Sequence, residues 1–255
     1  MKVFEGYPLR KILKREQLLL WGLSPIVLQI VFGVLFVVYF ISNNIALIET
    51  LESSIALMEY IEPEIIAGTI VGTILGAVLI TIVVIWRKIP LFNRKQLSRN
   101  EWKIIPGLSK KDWIFLGWYI PVSYILYIGG NILLSYIFGE AEAANQQTIE
   151  GMVGLAPVWA LFLMIVIAAP IAEEVLFRGL ILFRHNSLNA SWISVVVSAF
   201  LFGLIHMPTD IPSAFSYIGM GFLFAFAAKH TRTVEAGIVY HMLNNLIAFI
   251  VLYQA

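Results

Sequence analysis

Seven apolar runs, each close to the thickness of a bilayer, constrain this chain more than any other feature. A helix needs about 20 mostly apolar residues to cross the hydrocarbon core. The sequence therefore predicts an all-α, polytopic membrane helical bundle with about seven transmembrane helices. The fifth and sixth runs are short, and the two prolines between residues 206 and 212 predict the turn that joins them. The runs cover residues 17–41, 65–86, 112–138, 157–182, 190–207, 212–229 and 233–253.

Composition excludes the soluble globular class. The chain is 60% hydrophobic and only 13% charged, whereas soluble domains are usually about 25% charged. It contains no cysteine, which excludes disulfides, thiolate zinc sites and a cysteine nucleophile.

The charged residues between the runs are segregated by sign. Lysines and arginines occur in the N-terminal segment, in residues 87–111 and after the fourth and sixth runs, whereas the intervening loops are acidic. The positive-inside rule then predicts a cytoplasmic N-terminus and an external C-terminus. Anionic lipid explains the basic loops better than a nucleic-acid partner does.

Two further patterns bear on organisation. Gly68, Gly72 and Gly76 recur every four residues, which favours close helix approach; we expect packing within the monomer rather than a dimer seam, and the oligomeric state stays open. We divide the chain into N-terminal membrane helices, residues 1–156, which include the basic loop 87–111, and a core, residues 157–255, which carries the polar motifs.

Charged residues inside the fourth run are the first functional signal. Glu173, Glu174 and Arg178 lie within apolar sequence, where a charge costs about 2.5–3.5 kcal/mol. Glu174 and Arg178 are four residues apart and can pair. Glu173 lies about 100° away around the helix and lacks that partner. A general base and a structural clamp are equally open from these residues alone.

Two later runs contribute groups suited to hydrolysis. Phe202 and His206 are four residues apart at the end of the fifth run, and His241 and Asn245 are four apart in the seventh. Singly, each residue has an ordinary explanation as a cap or a packed side chain, and we assign Asn244 to packing or hydrogen bonding. Together they predict one buried polar pocket, which we expect to open towards the cytosol.

Helix depth sets a condition on this pocket. Measured from the predicted cytoplasmic helix ends, His206 lies about 10 Å deeper than Glu173 and His241. The fifth helix must tilt, begin deeper in the membrane or begin later in the sequence for the three side chains to meet.

The ordered motifs Glu-Glu-x-x-x-Arg, Phe-x-x-x-His and His-x-x-x-Asn, on separate membrane helices, resemble the CPBP family of intramembrane proteases. This family includes the type 2 CAAX prenyl endopeptidases and bacteriocin-processing enzymes. The resemblance spans Glu173 to Asn245. It implies an intramembrane endopeptidase in the cell membrane that acts on a membrane-associated or hydrophobic peptide or on a membrane protein.

The resemblance also implies residue roles. Glu173 would be the general base that activates a water, and His206 its partner in holding that water. His241 and Asn245 would stabilise the oxyanion. The supporting residues would be Glu174, Arg178 and Phe202.

The family has been described both as a metalloprotease and as a glutamate protease. Glu173, His206 and His241 could form a catalytic zinc set. The sequence contains no His-Glu-x-x-His helix, and Asn245 suits an oxyanion better than zinc. We therefore favour a mechanism without a cofactor and keep Zn²⁺ as the alternative.

Two other functions compete with proteolysis. A non-catalytic immunity or regulatory membrane protein could use the same residues to bind a peptide or a sensor kinase. A small transporter could use them as a proton relay, although the chain lacks the repeat symmetry of many transporters.

Overall fold

The computed structural model describes residues 21–51, 53–86, 107–139, 144–183 and 189–254. Within these ranges the chain is helical, and no named strand occurs. A single helical turn, Ile45–Ile48, follows the first helix. The helices are α1 Ser24–Asn43, α2 Ser54–Trp86, α3 Lys110–Phe138, α4 Ala144–Gly151, α5 Val158–Leu182, α6 Trp192–Ile205, α7 Ile211–Thr231 and α8 Val234–Leu252.

Six of the described helices are long and apolar enough to cross a membrane: α1, α2, α3, α5, α7 and α8. This confirms the predicted polytopic bundle. Helix α6 corresponds to the predicted fifth span but has only 14 residues, or about 21 Å of helix. It is therefore shorter than a bilayer core of about 30 Å.

Some predictions fall on residues outside the described ranges. These are the first residues of the predicted first span and residues 87–106 of the basic loop. The membrane orientation and the division at residue 156 stay predictions.

The repeated glycines of α2 lie against α1, as predicted for packing within the monomer. A Cβ added to Gly68, Gly72 or Gly76 would overlap backbone atoms of α1. For Gly72, the overlap would be with Gln29, whose Cα would be 2.5 Å away. The absence of side chains on this face therefore lets the two backbones touch.

Aromatic side chains fill the space around α5 and pack it against the neighbouring helices. Phe177, Phe202, Phe224 and Tyr240 are buried in one cluster that joins α5, α6, α7 and α8. A second cluster, with Leu182, lies where α5 ends and α8 begins. The bundle is thus tightly packed at the end where α3 begins, near Lys110, and where α7 ends, near Lys229.

Capping residues set the helix ends that position the polar motifs. Ser109 and Asp112 form a capping box at the start of α3. Asp210 and Ser213 form another at the start of α7, and the hydrogen bond from the Ser213 backbone N–H lowers the pKa of Asp210. Met207 has a left-handed φ of 49°, which turns the chain sharply after His206.

Candidate active site

Helix α5 is irregular on both sides of its acidic pair. Its backbone has wide π-helical turns over Leu163–Ala168 and Val175–Leu182, which flank a normal segment, Ala169–Glu174. Such turns often occur at functional sites. Pro170 also lies in this segment and has no N–H to donate to the preceding turn. The acidic pair therefore sits on a locally distorted helix.

Glu174 and Arg178 form the predicted ion pair, with Arg178 Nη1 3.0 Å from Glu174 Oε1 and both side chains fully buried. The two atoms are at ion-pair distance, but the N–H does not point at the oxygen. Arg178 Nη2 donates to the Gly221 carbonyl at 2.7 Å. The guanidinium also lies 4.7 Å from the ring centre of Phe202. Arg178 thus links α5 to α6 and α7.

Gly237 makes room for the Glu174 carboxylate. A Cβ at this position would overlap Glu174 Oε2. Glu174 and Arg178 are both fully buried, so the carboxylate has little space to move aside. Only glycine at residue 237 therefore allows α8 to approach α5 this closely.

His241 approaches both acidic residues. Its Nδ1 is 3.1 Å from Glu174 Oε1. Because an ionised carboxylate can only accept a hydrogen bond, we assign the proton to Nδ1. The Nε2 of the neutral ring is then an acceptor, and it lies 3.9 Å from Glu173 Oε2.

His206 is held in the same way from another helix. Its Nδ1 donates to the Phe202 carbonyl at 2.8 Å, and its Nε2 lies 3.9 Å from Glu173 Oε2. Tyr217 stacks on the imidazole with ring centres 4.5 Å apart. Helix α6 begins at Trp192, two residues later than predicted, and His206, the residue directly after its last turn, meets Glu173. The condition set by helix depth is therefore satisfied.

These contacts leave a gap between three acceptor atoms. Glu173 Oε2 is buried, and none of the residues that the structure describes forms a direct hydrogen bond with it. Each imidazole Nε2 is 3.9 Å from it, which is too far for a direct hydrogen bond of about 2.7–3.2 Å. A water placed about 2.8 Å from two of these atoms would bridge them.

Asn245 lines the cavity and has one N–H without a hydrogen-bond partner among the described residues. Its Nδ2 donates to the Ile165 carbonyl at 2.9 Å, and its Oδ1 accepts from Asn244 Nδ2 at 3.1 Å. A side-chain amide has two N–H groups, so one remains for a ligand. Asn244 is hydrogen-bonded, one of the two roles that we assigned it, and it fixes which way the Asn245 amide faces.

A cavity of about 310 Å³ connects these side chains. Its lining includes Glu173, His206, His241 and Asn245, and it continues along α8 as far as Leu252. It also reaches the short helix α4, at the end of the bundle opposite Lys110 and Lys229. The expectation of a pocket open towards the cytosol therefore conflicts with the predicted orientation, because the buried cluster with Leu182 fills the basic end.

Sequence reasoning missed several lining residues. Tyr217 lies on α7, and Gln29 and Thr73 lie on α1 and α2; all three line the cavity. Nothing in the motif spacing indicates Tyr217. Gln29, however, is an amide near the middle of the first apolar run, and polar residues in such runs are functional candidates.

The donor set fits a zinc ion poorly. Two ligand atoms bonded to zinc at about 2.0–2.1 Å, at a tetrahedral angle, lie about 3.3 Å apart. The separations from Glu173 Oε2 to the two Nε2 atoms are both 3.9 Å. Across the described residues, no group of three or more His, Asp or Glu side chains is spaced to hold a metal ion.

Comparison with known proteins gives a consistent result. Residues 155–247 match the family model described as type II CAAX prenyl endopeptidase Rce1-like. The chain is 30% identical over 180 residues to the putative membrane peptidase YdiL of Bacillus subtilis (strain 168). This alignment covers 69% of this chain and 67% of YdiL. It is 29% identical over 183 residues to the membrane-embedded CAAX protease MroQ of Staphylococcus aureus (strain USA300), covering 68% of each. No solved structure matches significantly.

The matched region holds the whole candidate site. It begins before Glu173 and ends after Asn245, and both relatives align over about two thirds of their length. The membrane helices, the three motifs and these matches agree, and the chain therefore belongs to the CPBP family of intramembrane proteases.

Proposed function

We propose that this protein hydrolyses a peptide bond of a membrane-associated or hydrophobic substrate with a water activated by Glu173. The observation that carries this proposal is the gap between Glu173 Oε2 and the two imidazole Nε2 atoms, each 3.9 Å from the carboxylate oxygen. All three atoms belong to the same cavity, so a carbonyl group could approach a water held there.

The chemistry follows from this arrangement. The water oxygen attacks the carbonyl carbon while one of its protons passes to Glu173 Oε2, directly or by way of His206 Nε2. A tetrahedral intermediate forms with negative charge on the former carbonyl oxygen. The C–N bond then breaks as the proton moves to the leaving nitrogen, which gives a carboxylic acid and an amine.

The free N–H of Asn245 is the donor best placed to stabilise the oxyanion. A proton that reaches His241 Nε2 from the water would make that atom a second donor. One donor of this kind contributes about 2.7–4 kcal/mol to transition-state stabilisation. Glu174 and Arg178 hold His241 in place, and Phe202 forms a wall of the site.

The test compares peptides in membranes that contain wild-type protein or Glu173→Gln. The amide keeps the size of the side chain but cannot accept a proton, so we expect cleavage to fall about 10²–10⁴-fold and uncut substrate to accumulate. Glu59→Gln makes the same change at an exposed residue of α2 and serves as the control.

Mass spectrometry of the membrane peptides gives the result. An identical peptide pattern for wild-type and Glu173→Gln membranes, with the variant present in equal amount, would favour the non-catalytic regulatory function instead.

A further inference from the structure

Gln29 is a polar side chain on the side of α1 that packs against α2. Its neighbours Ile26 and Ile30 are 45% and 64% exposed, as expected of residues that face acyl chains. Gln29 itself is only partly exposed and lines the cavity that holds Glu173 and His206. An amide in hydrocarbon is costly unless its groups are hydrogen-bonded, so its position calls for a partner in this cavity.

The hydrogen bonds of Gln29 are only partly used. Its Nε2 donates to Thr73 Oγ1 at 2.7 Å, and Thr73 Oγ1 donates to the Thr69 carbonyl at 2.8 Å. Thr73 therefore has no hydrogen left to donate to Gln29. Gln29 Oε1 accepts no hydrogen bond from the residues that the structure describes, and its second N–H has no partner among them either. One acceptor and one donor are left.

The glycines of α2 fix where this amide lies. Gln29 is in backbone contact with Gly72, beside Thr73, so α1 cannot move closer or rotate freely. One turn along α2, Ala77 packs with Ala168 and Ala172, next to Glu173. The Gln29 amide is therefore held on the wall of the cavity about one helix diameter, roughly 10 Å, from the candidate base.

We infer that Gln29 binds a backbone peptide group of the substrate, to one side of the bond that is cut. A peptide group offers one N–H donor and one C=O acceptor, and these complement the free acceptor and donor of the Gln29 amide. Because an extended chain rises about 3.3 Å per residue, the group bound by Gln29 lies about two to four residues from the scissile bond. This inference rests on the proposed peptidase function.

Binding is tested separately from cleavage. The probe is a fluorescent, internally quenched dodecapeptide of mixed apolar sequence, used with purified full-length protein in detergent micelles. Fluorescence anisotropy with Glu173→Gln protein measures affinity without turnover. Adding Gln29→Leu should weaken binding about tenfold, the effect of one or two lost hydrogen bonds, whereas Ile30→Ala, at the adjacent lipid-facing residue, should not change it.

Cleavage of the same peptide gives a second measurement. Gln29→Leu in otherwise wild-type protein should raise KM about tenfold with kcat nearly unchanged. Thr73→Val removes the hydroxyl that holds the Gln29 amide and should raise KM by a smaller factor than Gln29→Leu does. Thr73→Ser keeps the hydroxyl and should have the wild-type KM. A purely structural role for Gln29 would instead lower thermal stability and leave KM unchanged.

Backbone-modified peptides identify the group that is bound. The peptides of this series each carry one N-methylated peptide bond, at a different position. Methylation at one position should weaken binding to protein that contains Gln29 and should not change binding to Gln29→Leu protein. Equal affinity of the two proteins for the unmodified peptide, or no binding by Glu173→Gln, would overturn the inference. Binding that depends on Gln29 without any cleavage by wild-type protein would instead contradict the proposed function alone.

Discussion

Each imidazole of the site is oriented through its Nδ1 atom. His241 donates to Glu174 and His206 donates to the Phe202 carbonyl, so both Nε2 atoms face Glu173. A hydrogen bond made by Nδ1 fixes which ring nitrogen carries the proton. The arrangement places two imidazole Nε2 atoms beside Glu173 Oε2, each 3.9 Å away.

Replacing Gly237 by alanine should disrupt this orientation. The new Cβ would overlap Glu174 Oε2, so Glu174 would shift and His241 would lose its partner. Misplacing a catalytic group by about 1 Å can cost about 10²-fold in rate, and we expect kcat for the quenched peptide to fall by about 10–100-fold.

Gly117→Ala is the matched control for this change. Gly117 is also helical, and a Cβ there meets no atom within 4 Å. Equal activity of the two alanine variants would show that the Glu174–His241 contact has no role in catalysis.

Chelation should not affect cleavage, because the 3.9 Å separations suit a bridging water better than zinc. We expect protein dialysed against a strong chelator to keep its rate on the quenched peptide, with its metal content checked by mass spectrometry. Loss of activity that added zinc restores would assign Glu173, His206 and His241 as metal ligands.

Motif spacing predicted which side chains meet but not how they are joined. The four-residue spacing predicted the Glu174–Arg178 pair, which the structure confirms. The His241–Glu174 hydrogen bond joins residues 67 positions apart, and no local pattern encodes such a contact. Tyr217 was missed for the same reason, because its stacking on His206 depends on how α7 folds back on α6.

At the level of helices, the pair formed by α1 and α2 supports the rest of the site from outside the motif-bearing region. Glycine at three successive turns of α2 brings α1 into backbone contact. The pair then presents Gln29, Thr69 and Thr73 to the cavity. The N-terminal helices therefore form part of the cavity wall, in addition to crossing the membrane.

Gly72→Ala should separate this helix pair. Its Cβ would lie 2.5 Å from Gln29 Cα, and relieving the overlap requires a backbone shift that costs about 1–3 kcal/mol. We expect a lower midpoint of thermal unfolding in detergent.

Gly33→Ala provides the comparison on the facing helix, since a Cβ on Gly33 meets nothing within 4 Å. Unchanged stability of Gly72→Ala would mean that the helices are not packed this closely.

Helix positions were largely predictable because charged residues or prolines mark the ends of each apolar run. The Ser109–Asp112 capping box fixed the start of α3 within two residues of the prediction. The start of α2 was less predictable, since it extends to Ser54 through acidic residues that composition assigned to a loop. Pro63 lies within this helix, and propensity alone would have ended the helix there.

At the scale of the whole molecule, the cavity extends towards the end of the bundle opposite the one with the described basic residues. The cavity reaches α4 at one end of the bundle, and the described basic residues Lys110 and Lys229 lie at the other. With the predicted orientation, the site is therefore reached from the external side of the membrane.

Cysteine labelling tests this orientation directly, because the natural chain contains no cysteine. Glu49→Cys and Lys110→Cys place single thiols at exposed residues on opposite sides of the bundle. In intact cells an impermeant maleimide should label Glu49→Cys, and Lys110→Cys should react only after the membrane is permeabilised. The reverse pattern would place the N-terminus outside and open the cavity to the cytosol.

The order in which the site residues occur along the chain has a consequence for biosynthesis. Glu173 is made first, His206 follows, and His241 and Asn245 come with α8. During membrane insertion the ribosome thus releases the base well before the groups that complete its surroundings. Under the proposed mechanism, a partly synthesised protein lacks the groups that complete the site, and we expect proteolysis to begin only when α8 has entered the bilayer.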